Sequence, residues 1–305
     1  MKYFVALGEH RRLNATSRQK LRGGFLELRD GVTHYELAGP EDGDLVVLIG
    51  GLTIPLFYWD AMARELHGLG LRTLAYSCYG RGYSDRVRDR YDESLFVRQL
   101  AGLAHELRIN SRFHLVGTSM GALIAMAYAA QHADTLATLT FAGPAGLAET
   151  PALPPWLMHS DGMATFVAKW FGSRILRRHL GHNVQDPGRA AELATMVLDA
   201  YQYEGSLFAL FSTLQNFSFV DRAELFEPMQ ALNVPKLLLW GDNDQVTPIT
   251  QLDRARELIR PQQIHIVRNC GHMAPYERPA EVAKTIAAWV ASCPQRPRCH
   301  VTPGG

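Results

Sequence analysis

Short apolar runs, repeated between helix-length stretches, decide what this chain can become. Residues 45–49 (Leu-Val-Val-Leu-Ile), 113–116 and 236–240 are apolar along nearly their whole length. A strand of that kind is buried on both faces, which a parallel sheet covered by helices provides. Shorter runs at 73–76, 136–141 and 263–267 complete the set. Between them, residues 57–66, 95–107, 122–130, 252–259 and 280–289 carry helical patterns. Residues 25–28 and 32–37 precede the series and flank Arg29-Asp30-Gly31, so they read as an antiparallel pair.

One stretch breaks the alternation. Residues 147–225 open with Pro151, Pro154 and Pro155 and then change to purely helical spacing. Met163, Phe166, Val167, Trp170 and Phe171 form one stripe, and Leu207, Leu210, Phe211 and Leu214 another. This reads as a helical insertion lying over the sheet, between core segments 23–146 and 226–293. Residues 1–22 are polar and basic and are expected to be a flexible extension. Residues 294–305, rich in Pro and Gly, are expected to be disordered.

Charge and composition exclude some functions. With 31 basic and 30 acidic side chains, nothing favours a nucleic-acid partner. No apolar run reaches the roughly 18–20 residues that cross a bilayer, so no stable membrane insertion is expected. The first residues lack the apolar stretch of a signal peptide. The four cysteines make no Cys-x-x-Cys pair, which argues against structural zinc and for free thiols in a cytoplasmic protein. Cys293 and Cys299 are near enough in sequence to pair. Arg174, Arg177 and Arg178 read as a solvated helix face, or as a basic patch that guides an acidic substrate.

The chemistry centres on Gly117-Thr118-Ser119-Met120-Gly121, between a strand and a helix of small residues. A serine on such a turn is lifted above the sheet edge, and flanking glycines let neighbouring backbone approach. Backbone N–H groups at the helix start point to where an oxyanion would form. A neutral serine needs a base. His272 follows the last strand and reaches the same sheet edge, whereas His10 and His300 are terminal and His159, His179 and His182 fall in the insertion. The orienting carboxylate is Asp244, in Gly241-Asp242-Asn243-Asp244, with Asp242 read as a turn-former. The chain order is then Ser…Asp…His.

With these residues placed, the chain resembles the α/β-hydrolase family over about residues 24–292. The Ser119 turn, Gly241 to Pro248 and Gly271-His272 carry the resemblance, as does Tyr79-Gly80-Arg81-Gly82-Tyr83-Ser84-Asp85, which is similar to the family's Gly-x-Gly-x-Ser turn. The resemblance implies an eight-stranded, mostly parallel α/β sheet with helices on both faces and an all-helical cap after strand 6. It favours Asp244 over Asp242. The alternative acid position after the sixth strand holds Ala142-Gly143-Pro144-Ala145-Gly146, without a carboxylate. Two departures stand out: Gly50-Gly51-Leu52-Thr53 replaces the usual His-Gly, and Ser77-Cys78 stands where an Asp is common. By this resemblance the oxyanion hole falls to the Leu52 and Met120 amides.

Serine at position 119 sets the chain apart from relatives that attack with Asp. A Ser-His-Asp set with an oxyanion hole suits acyl transfer. The leading expectation is an esterase- or lipase-like enzyme for a small-molecule ester with an apolar acyl group. No metal or organic cofactor is implied. Trp156, Phe166, Trp170, Phe208 and Phe211 are expected to line the acyl pocket. Carbon–carbon hydrolases of ring-fission products are a second possibility, although Ser-Met-Gly-Ala here differs from their Ser-Met-Gly-Gly and Met273 stands where they often have Trp. A non-catalytic ligand receptor on the same fold is a third.

Overall fold

The computed structural model describes residues 1–150, 154, 160–180 and 184–293. Eight strands form one sheet: β1 (Gly24–Glu27), β2 (Val32–Ala38), β3 (Leu45–Ile49), β4 (Arg72–Tyr76), β5 (Phe113–Thr118), β6 (Leu136–Ala142), β7 (Lys236–Gly241) and β8 (Gln263–Val267). Their spatial order is β1-β2-β4-β3-β5-β6-β7-β8. β1 and β2 pair antiparallel, as do β2 and β4, and every pairing from β4 to β8 is parallel. Every residue of β5 and β7 is buried, as continuous apolar strands demand.

The longer helices of the core are α1 (Asp60–Gly68), α2 (Glu93–Glu106) and α3 (Met120–His132). From β3 the chain moves through α1 to β4 on one side, then returns through α2 to β5 on the other. Right-handed crossovers in opposite directions put the two helices on opposite faces. Helix α3 is buried from Met120 to Ala129, which explains why it is apolar all round.

Between β6 and β7 the described chain is helical: α4 (Asp161–Leu180), α5 (Pro187–Ala200) and α6 (Ser206–Asn216) are its long elements. The base of this insertion is pinned, because Ala148 C=O accepts from Asp221 N–H (3.0 Å) and Gly146 C=O from Arg222 N–H (2.8 Å). After it come α7 (Leu252–Ile259) and α8 (Pro279–Ser292), which packs against α1. Among the described residues no helix is long and apolar enough to cross a membrane. Residues 294–305 lie outside the described residues, and with them the pairing of Cys293 with Cys299.

The expectation of a flexible extension at 1–22 needs correction. Phe4 and Ala6 are buried, and the Phe4 and Tyr3 rings meet Phe208 edge-on at 5.9 and 5.2 Å. Glu9 is buried at the start of α6, where its carboxylate accepts N–H bonds from Ala6 (2.8 Å), Gly205 (2.9 Å) and Leu207 (2.6 Å). An acid there satisfies donors that a helix start leaves unpaired. Arg11 bridges to Asp199 and Arg18 to Asp85. The segment is polar because its polar groups meet distant partners, a feature that its composition conceals.

Candidate active site

β5 ends at Thr118, and Ser119 enters α3 with φ 53° and ψ −118°. This backbone lies outside the allowed regions for an L-residue. Its neighbours hold it there. Ser119 N–H donates to Ala142 C=O at the end of β6 (3.0 Å), and Ser119 C=O accepts from Ala122 and Ala145 N–H (3.1 and 3.3 Å). The flanking glycines are required sterically. A Cβ on Gly117 would stand 2.3 Å from Gly121 C=O, and one on Gly121 2.3 Å from Ile49 C=O. The turn is therefore wedged between β3 and its own helix.

The loop that carries Leu52 reaches the Ser119 turn, and Met120 is the first residue of α3. A Cβ on Gly51 would come within 3.3 Å of Ser119 Cβ, so the 50–52 loop passes directly beside it. Among the described residues neither the Leu52 N–H nor the Met120 N–H has a hydrogen-bond partner. The Met120 N–H is one of the donors that a helix start leaves unpaired, Leu52 is half-buried, and such free donors are suited to receive an oxygen.

His272 and Asp244 lie on the loops after β8 and β7, at the same carboxyl edge as Ser119. Both are buried, and His272 Nδ1 stands 2.8 Å from Asp244 Oδ2. Asp244 Oδ1 accepts the Val246 and Thr247 N–H groups, both at 2.8 Å, so the carboxylate is fixed from both oxygens. Gly143, directly after β6, faces this pair: a Cβ there would lie 3.2 Å from Asp244 Oδ2 and 3.5 Å from His272 Nδ1. One residue thus separates the carbonyl that anchors Ser119 from the His–Asp pair. Asp242 turns elsewhere and accepts from Cys270 N–H (3.2 Å), tying the acid loop to the histidine loop.

Three residues of this neighbourhood were not singled out by sequence. Thr247 is buried; its hydroxyl donates to Asp244 Oδ2 (2.7 Å) and lies 3.2 Å from His272 Nδ1. An Asp-x-x-Thr spacing, with its habit of local side-chain bonding, is the signal that could have found it. Arg81 is fully buried. Its Nε donates to Leu52 C=O (2.7 Å), one terminal nitrogen to Tyr79 C=O (2.9 Å) and the other to Thr213 Oγ1 in α6 (2.9 Å). Tyr91 and Phe96 supply ring faces at 5.9 and 5.6 Å. Glu277 accepts from Gly271 N–H (2.8 Å) with one oxygen and from Gln185 N–H (3.0 Å) with the other, joining the histidine loop to the cap.

The thiols nearby do not compete as nucleophiles. Burial pushes Cys270 well above the usual thiol range, with Glu277 adding to the shift, and burial pushes Cys78 up to about 11. A buried neutral thiol is inert.

The aromatic pocket is the clearest correction. Phe166 and Trp170, expected to line a cavity, are 52% and 71% exposed on the outer face of α4. They point outward because α4 packs inward through Ala164, Ala168 and Gly172, whose small size brings it close to Leu207 and Phe211 of α6. Phe208 and Phe211 are buried: Phe208 meets Tyr3, Phe4 and Tyr91, and Phe211 faces Gly172. Trp156 lies outside the described residues.

A serine in a strained strand-to-helix turn, a buried His–Asp pair and an eight-stranded, mostly parallel sheet together match a hydrolase architecture. The sequence matches the α/β-hydrolase fold family over residues 44–279, and the chain belongs to that family of hydrolases. Monoacylglycerol lipase abhd6-A of Xenopus laevis is 30% identical over 223 residues, covering 69% of this chain and 64% of that protein. The chain therefore spans less than two thirds of that lipase's length. N-formylmaleamate deformylase of Pseudomonas putida is 26% identical over 264 residues, covering 81% and 89% of the two chains. Among solved structures, a thermophilic esterase from Thermogutta terrifontis superposes with a TM-score of 0.75 at 21% identity, covering 89% and 98%.

Proposed function

We propose that the protein hydrolyses a carboxylic ester with an apolar acyl group, through a Ser119–His272–Asp244 triad. The observation that carries this reading is the buried His272–Asp244 contact of 2.8 Å on the sheet edge where Ser119 is held in its strained turn. Ser119 Oγ attacks the ester carbonyl while His272 Nε2 takes its proton, and Asp244 holds the imidazole through Nδ1–H. The tetrahedral oxyanion accepts from the Leu52 and Met120 N–H groups. Collapse passes the proton from His272 to the leaving alcohol and leaves Ser119 acylated. Water, deprotonated by His272, then releases the acid and restores the serine.

The lipase and esterase relatives support the choice of an ester, and the Leu52 and Met120 amides, without partners among the described residues, support acyl transfer. Initial rates on p-nitrophenyl esters of increasing acyl length test the proposal, with Ser119→Ala as control. Turnover that vanishes in the variant is expected, and the length optimum sizes the acyl site. Labelling of Ser119 by a fluorophosphonate without ester turnover would keep the nucleophile and refute the ester. Neither labelling nor turnover would refute the triad.

A further inference from the structure

Helix α4 is built the opposite way round from a solvated helix. Its inward stripe begins small, with Ala164, Ala168 and Gly172 buried ahead of Leu176 and Leu180, while Met163, Phe166, Trp170 and Phe171 face out at 42%, 52%, 71% and 49% exposure. The aromatic side chains form one patch, with Phe166 6.4 Å from both the Trp170 and Phe171 rings. The N-terminal segment runs beside the same helix, with Lys169 Nζ 5.5 Å from the centre of the Phe4 ring. Leu7 is 86% exposed beside Ser173 and Arg177, and Val5 is 41% exposed. Of seven exposed large apolar side chains among the described residues, only Leu69 lies elsewhere. A surface that concentrates its exposed apolar groups in this way marks an interaction site.

Charge indicates what kind of partner fits. Lys169, Arg174, Arg177 and Arg178 are all exposed on the same helix, whose only acid is Asp161 at its first position. A second copy of this chain would bring two such cationic sets together with one acid each, so the face is not self-complementary. Apolar and aromatic residues beside a cationic row match a lipid surface carrying negative headgroups, where Trp settles at the headgroup level. We infer that the outer face of α4, with Val5 and Leu7, docks the protein peripherally on anionic bilayers, Phe166, Trp170 and Phe171 entering the headgroup layer and the arginines pairing with phosphates. This inference does not depend on the reaction proposed above.

Vesicle flotation with the full chain tests it, using phosphatidylcholine vesicles with and without phosphatidylglycerol. The wild type is expected to float with the anionic vesicles at low salt, with a blue-shifted tryptophan emission that Trp170→Phe removes. Phe166→Ser/Trp170→Ser/Phe171→Ser, at exposed positions, is expected to melt like the wild type yet stay in the soluble fraction. Changing Arg174, Arg177 and Arg178 to Gln should weaken binding roughly fivefold per charge, and added salt should do the same. No flotation of the wild type, or equal flotation of the triple Ser variant, overturns the inference. So does a wild-type dimer that the Ser variant converts to monomer, which would assign the patch to self-association.

Discussion

The backbone at Ser119 makes a prediction that needs no knowledge of the substrate. With φ 53° and ψ −118°, the residue sits where an L side chain costs about 1–3 kcal/mol. Its three backbone hydrogen bonds, to Ala142, Ala122 and Ala145, survive any side-chain change. Ser119→Ala and Ser119→Gly both remove the hydroxyl, so activity does not distinguish them. Stability does. At an ordinary buried position, exchanging Ala for Gly costs about 0.5–1 kcal/mol in chain freedom and up to ~0.8 kcal/mol in buried methyl surface. By that reckoning the glycine variant should melt several degrees lower, at about 2–4 °C per kcal/mol for a large domain. Relief of about 2 kcal/mol of strain, the middle of that range, offsets the whole of that loss in the glycine variant. The expected result is a Ser119→Gly protein that melts at or above Ser119→Ala in calorimetry and in urea titration. A glycine variant less stable by ~1.5 kcal/mol would mean that the turn stores no strain, and the account of how the hydroxyl is lifted would be wrong.

Thr247→Val deletes the hydroxyl that donates to Asp244 Oδ2 while keeping the shape; loss of a charge-assisted bond of about 1.5–3 kcal/mol predicts a kcat at least tenfold lower with KM unchanged, and Thr247→Ser should restore it. Arg81→Met leaves the Leu52 carbonyl without its anchor and frees the 50–52 loop beside the serine; on the role proposed for the Leu52 N–H, kcat should drop by up to about a hundredfold, the scale of one oxyanion donor, and unchanged kcat would remove Arg81 from the positioning machinery. Acid stability tests the buried histidines. Burial lowers His34 and His114 from 6.5 to about 4, so the unfolded chain takes up protons below pH 6.5 that the folded one refuses until about pH 4. Their contribution is therefore flat above pH 6.5 and turns destabilising as pH falls toward 4, so urea midpoints should fall from pH 7 to pH 5, and less steeply in His114→Asn.

The parts of this molecule that sequence revealed share one property: their neighbours are near in the chain or fixed by sheet order. Ser119, Asp244 and His272 stand one, three and five residues past the ends of β5, β7 and β8, so a parallel sheet brings all three to one edge. The cap's inner face was misread for the opposite reason. Helical spacing shows that residues 163, 166 and 170 share a side, but not which side is inward, and size made the aromatics look like core. The smaller stripe of Ala164, Ala168 and Gly172 won because it brings α4 close to Leu207 and Phe211. The partners of Glu9, Arg81 and Glu277 were invisible for a third reason. Each is a buried charge whose partners include backbone or hydroxyl groups at least 90 residues away: Leu207 N–H for Glu9, Thr213 Oγ1 for Arg81 and Gln185 N–H for Glu277. No local pattern encodes such pairings, because backbone donors and acceptors exist at every position. All three tie the cap or its helix starts to another segment, and two of them reach the loops of Leu52 and His272. The seating of the cap is thereby tied to the loops that carry Leu52 and His272 by charges whose partners sequence pattern could not place.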